Sequence, residues 1–170
     1  SCDNILIGET PVKSIIPSDP LLRRFVAHPM DHLIRGKEYS LFLTGEMSDF
    51  SGNSITRSSF SFGIPETAEK SNIVFNEILF NPFPEDPDYI ELYNCSEKVL
   101  DASRLYLASI STETGDTSEA KQVSVEQRCI MPGSLYVLTT DPDMITGRYM
   151  NSCRENIFEA VSLPSMPDDK

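Results

Sequence analysis

Glu85, Asp86 and Asp88 crowd one proline-rich loop, and Glu77 and Glu91 stand on the apolar segments to either side of it. Carboxylates gathered on a loop are the donors a hard cation takes, and calcium needs about six to eight such oxygens from a chain able to wrap around it. Glu77, Glu85, Asp86 and Asp88 are therefore the candidate calcium ligands. The spacing is not that of an EF-hand loop, because the central glycine is missing. The competing reading is a solvated turn whose charges keep a strand edge from pairing with another chain. A smaller acidic group, Asp141-Pro142-Asp143, reads as a turn.

Other chemistries find less support. Glycoside hydrolysis needs two carboxyls at a fixed separation about a sugar, yet with 26 Asp and Glu in the chain some pairs fall close by chance, and none stands out. His28 and His32, in HPMDH, have the four-residue spacing that puts two zinc ligands on one helix face, but Pro29 argues against a helix interior. A surface histidine pair with a structural role is the plainer reading. Both histidines precede residue 33, and no G-x-S-x-G elbow is present. No catalytic residue is assigned, and the expectation is that the chain is not an enzyme. Phe80, Phe83, Tyr89 and Tyr93 sit on or beside the acidic loop. Their rings suit stacking on a sugar or gripping a protein, against the alternative of cross-strand pairs that stabilise a sheet face.

Charge narrows the partners. Twenty-six acidic against 14 basic side chains give a formal charge of −12, a field that repels a phosphate backbone, so nucleic acid is not expected. No apolar run approaches the roughly 20 residues of a membrane helix, and the start, SCDNILIGETP, does not read as a signal peptide. The four cysteines, Cys2, Cys95, Cys129 and Cys153, form no C-x-x-C pair and fit no zinc pattern. They allow three full pairings. Cys129 and Cys153 flank one compact stretch and form the candidate disulfide; buried thiols are the alternative.

These side chains need elements to hold them, and strand signals dominate. Residues 22–27, 39–45, 58–63, 74–80, 89–94, 104–109, 121–125 and 135–140 are short runs rich in β-branched, aromatic or leucine side chains. Pro, Gly, Asn, Asp and Ser clusters separate them. No long amphipathic helix competes, and residues 146–151 and 155–161 can each hold a helical turn or a strand. Leu41 and Leu43 alternate with Phe42 and Thr44, Gly45 ends that run, and Asp49-Phe50-Ser51-Gly52-Asn53 reads as a tight turn. Phe60 and Phe62 then share one face. In the later part Ile90 and Leu92 point to a core and Tyr89, Glu91 and Tyr93 away from it, by the two-residue period; Leu105 and Leu107 continue that core. A polar break, IPETAEKS, spans residues 64–71.

The order of parts in IVFNEILFNPFPEDPDYIELYN, residues 73–94, resembles the opening of a lamin tail domain: an N-E step in an apolar strand, an acidic proline loop, then D-Y-I-E-L-Y-N. Ile130-Met131-Pro132-Gly133-Ser134 followed by LYVLTTD is similar to the family's L-x-P-G-x-Y-x-V-L-T pattern, with isoleucine in place of the usual leucine. NIFEAVSLP, residues 156–164, resembles its next strand and turn. Residues 20–66 are similar to the last strands of bacterial Ig-like domains. The resemblance implies an all-β chain of two tandem immunoglobulin-like β-sandwich modules: a partial Ig-like module over 1–66, a linker over 67–72, and a lamin-tail module over 73–170. Further strands are expected before Ser1 and after Lys170. Such modules belong to exported and cell-surface proteins of Bacteroidetes-type bacteria, which implies an extracytoplasmic, non-catalytic role in spacing, adhesion or display, with a protein or glycan partner at the surface. A calcium- or glycan-binding module, or an accessory domain of an exported hydrolase or nuclease, is the alternative. No cofactor is expected beyond the calcium candidate.

Overall fold

The computed structural model describes residues 2–44, 48, 51–54, 58–80, 82, 84, 86–149 and 153–164. Among them the chain is all-β, with 14 strands and one α-helix. It divides into two compact units between Ile64 and Pro65.

In the first unit β1 (Ile5–Ile7), β2 (Thr10–Pro11), β5 (Glu38–Leu43) and β6 (Ser59–Gly63) form one antiparallel sheet in the order β2-β1-β5-β6. A separate hairpin joins β3 (Ser14–Pro17) to β4 (Phe25–His28). The alternation expected of β5 holds, with Leu41 and Leu43 half-buried and Phe42 and Thr44 exposed. Phe62 stacks on Tyr39 at 5.7 Å between ring centroids. Gly45, Asp49 and Phe50 lie outside the described residues; Ser48 and Ser54 form an antiparallel bridge.

Two readings of this unit need correction. The run at 22–27 is a strand only from Phe25. Before that the Asp19 carboxylate accepts the amides of Leu21, Arg23 and Arg24 at 2.6–2.9 Å, and Leu22 takes a positive φ of 55°. A carboxylate satisfying three nearby amides, with the Leu22 amide on the Asp19 carbonyl, holds a turn against the ladder. Conversely, β1, β2 and β3 were not foreseen, because two to four residues are too few to show a period.

The second unit is sandwich-like. One layer is a four-stranded sheet in the order β14-β13-β8-β7, built from β7 (Ile73–Leu79), β8 (Tyr89–Asn94), β13 (Leu135–Thr139) and β14 (Ile157–Glu159). β14 runs parallel to β13 and the other pairs are antiparallel. The facing layer consists of two short ladders, β9 (Leu100–Asp101) with β12 (Cys129–Ile130), and β10 (Tyr106–Leu107) with β11 (Lys121–Gln122). Ile90, Leu92, Tyr136, Leu138 and Phe158 meet Leu100, Val123 and Ile130 between them, with Leu105 and Leu107 packed at the margin. Each fully buried side chain of this kind contributes roughly 1.5–3 kcal/mol. Asn94 holds the end of the layer. Its side-chain amide donates to the carbonyls of Lys98, Ile130 and Met131, and its oxygen accepts the Ser96 amide and hydroxyl.

The polar stretch after Ile64 is not a free linker. Glu66 forms a parallel bridge with Leu100, Ala68 packs on the core, and Lys98 pairs with Glu66 at 2.7 Å. The strand expected over 104–109 shortens to β10, because Asp101 caps a 3-10 turn at Ala102–Arg104. Burial by itself would raise the Asp101 carboxyl. Hydrogen bonds from Ser103 and Gln127, with Arg104 nearby, outweigh it and hold the group below the usual carboxylate range.

Candidate functional site

The face of the four-stranded sheet turned away from this core carries Glu77 and Tyr89 of the candidate residues, together with Glu91. α1 (Pro142–Arg148) crosses it. Asp141 caps the helix by accepting the Met144 amide at 3.0 Å, and Pro142 stands at the first helical position, a good start signal. Ile145 of α1 then packs on Tyr89 and Ile157, with Leu79 and Val137 at the edge. Residues 146–148, open to either reading in sequence, are thus helical, and 155–161 holds a 3-10 turn followed by β14.

Tyr89 does face away from the core, but it is not exposed: only 7% of its surface is accessible. The correction has a simple cause. α1 roofs the strand at that point, and the Tyr149 ring meets Tyr89 edge-on at 6.1 Å. The Tyr89 hydroxyl donates to Glu77 Oε1 at 2.7 Å. Burial, then the hydrogen bonds to Glu77 and Tyr149, push the Tyr89 phenol well above its ordinary value, so it stays a neutral donor.

Beyond the roof lies an open cleft of about 390 Å³ bordered by Glu77, Glu91, Tyr89, Tyr149, Cys153 and Asn156. Glu77 and Glu91 occupy directly opposite positions on β7 and β8. A register shift between Phe75 and Glu77 marks a bulge at Asn76, whose side-chain amide donates to Glu91 Oε1 at 2.6 Å. Each carboxylate therefore holds a neutral donor. Among the described residues neither forms a salt bridge; Arg148 pairs with Asp86 at 3.3 Å and Arg154 with Asp143 at 3.6 Å.

The acidic loop does not assemble a cation cage from its described members. Glu77 engages Tyr89, Asp86 engages Arg148, and the Asp88 backbone carbonyl accepts the Thr139 hydroxyl at 2.9 Å. Among the described residues no three His, Cys, Asp or Glu converge as a metal group would. Glu85 and Phe83 lie outside the described residues. Phe80 is exposed and Tyr93 half-buried. Cys129 and Cys153 are not joined by a disulfide. Cys129 is held opposite Asp101 in the short ladder, while Cys153 precedes the 3-10 turn at the cleft. His28 pairs in register with Ser14 at the end of β4, and His32 is exposed in the loop beyond it. Asn76, Tyr149 and Asn156 escaped the sequence reading. The N-E step was the one signal for Asn76, and nothing in the sequence ties Tyr149 or Asn156 to this cleft.

Among the described residues no helix is long and apolar enough to cross a membrane. Comparison with protein-family profiles, with curated proteins and with solved structures finds no match for this chain.

Proposed function

We propose that this chain is a non-catalytic interaction module of a secreted or cell-surface protein, made of a partial Ig-like module and a lamin-tail-type module, and that the second module binds its partner on the helix-roofed sheet face. The single observation that carries the binding role is the cleft itself. It sets carboxylates next to aromatic rings on a rigid sheet, the composition of a recognition surface. The sequence motifs of residues 73–94 and 130–141 support the module assignment and, through it, the extracytoplasmic location.

Peptide and glycan arrays probed with the chain, alongside Tyr149→Ala, test the reading. Hits that fade in the variant are expected. Turnover of glycoside, ester or phosphodiester substrates would overturn it, as would arrays that stay blank. A rise in melting temperature on adding calcium would favour the calcium-binding alternative.

A further inference from the structure

The paired carboxylates of β7 and β8 say more about the occupant. Like charges directly opposite one another on neighbouring strands destabilise a sheet. A chain under no other constraint would place a lysine, threonine or glutamine at one of the two positions. Here Glu77 faces Glu91, while Arg148 of α1 and Arg154 of the following 3-10 turn pair with Asp86 and Asp143. A position that breaks a local stability rule on a formed cleft is one where function sets the residue. Beside the pair, the Tyr149 ring is 44% accessible and lines the same cleft. Two carboxylates and an aromatic ring are the elements that hold an ammonium or guanidinium group.

We infer that the Glu77–Glu91 pair receives a lysine or arginine side chain from a basic segment of a partner protein, seated against Tyr149. The inference rests on the binding face proposed above and assigns its ligand chemistry. Two carboxylates fall far short of the roughly six oxygens calcium requires. A second copy of this chain, also at −12, is repelled.

The test is a peptide array in which one central position is lysine, arginine, acetyl-lysine, norleucine or glutamate, with varied flanks, probed with the whole chain. Peptides with lysine or arginine should bind at least about tenfold better than the acetyl-lysine and norleucine versions, the scale of one charge-assisted contact. That preference should vanish in Glu77→Gln/Glu91→Gln and weaken in 0.5 M salt. The double variant should melt no lower than the parent, because glutamine keeps the Tyr89 and Asn76 hydrogen bonds and removes the repulsion. Neutralising the peptide's lysine reads the same contact without altering the protein. Hits that depend on Tyr149 but ignore the central cation would overturn this inference and leave the binding face standing. No hits of any kind would overturn both.

Discussion

The two units use the same alternation of apolar and polar residues to very different effect. In the first, Val12 is the one buried hydrophobic side chain among the described residues, while Ile16, Leu21, Phe25, Val26, Met30 and Ile34 all lie exposed. In the second, fourteen hydrophobic residues are buried and ten of them are at 3% exposure or less. The difference is one of layers rather than of strand quality. The sheet of the second unit has two short ladders packed over one face and a helix over part of the other, so its apolar side chains meet others from distant sequence. A strand pattern selects which side chains point together; it forms a core only where something covers them. Even within the second unit the cover ends at the edge, since Phe75 and Ile78 of β7 are left largely accessible.

Substitutions measure the contrast. Phe158→Ala, at a site 2% exposed, should cost about 3–5 kcal/mol in denaturant unfolding followed by circular dichroism. Phe25→Ala, in the exposed hairpin of the first unit, should stay within about 0.5 kcal/mol. Equal losses at the two positions would erase the distinction. Asn94→Ala comes next, at roughly 2–3 kcal/mol, because three carbonyls lose their donor at a fully buried position. Asn94→Asp should also destabilise, since it replaces that donor with a carboxylate.

Acid should act on the second unit through Asp101. Its folded-state pKa lies below the unfolded value, so its contribution is fully present above about pH 4 and is lost as pH falls through the folded value. Asp101→Asn should lower stability by about 1–2 kcal/mol at neutral pH and flatten the acid limb of the melting curve. Tyr89 works at the other extreme. Its pKa is raised, so its contribution is present below about pH 10 and is lost as pH climbs beyond; Tyr89→Phe should remove that alkaline loss. The smallest effect belongs to the cleft. Glu91→Gln should be neutral or stabilising by up to about 0.5 kcal/mol, and a clear loss would mean that the opposed carboxylates serve the fold.

Much of this architecture was readable in advance where local chemistry governs it. Tyr89 to Asn94 alternates as a strand should, and Ile90 and Leu92 do reach the core. The proline and glycine of Met131-Pro132-Gly133-Ser134 do turn the chain, with Gly133 at a φ of 63° and its amide bonded to the Asn94 carbonyl. The candidate site was legible only in part. Glu77, Glu91 and Tyr89 could be named from their place beside the acidic loop, but Glu77 turns to Tyr89 and Asp86 to Arg148, which linear proximity could not reveal. The expected disulfide failed for the same reason: closeness along the chain carries no information about the approach of two side chains.

Residue order was enough to assign the all-β class, the turn at Pro132-Gly133 and the facing of β8, because these depend on the steric preferences of a few neighbouring residues. Burial of Tyr89, the bonding of Asn94 to carbonyls 36 and 37 positions away, and the opposition of Glu77 to Glu91 came from assembly. Each requires segments far apart in the chain to be brought together, and the free energy that selects those meetings belongs to whole layers packing at once.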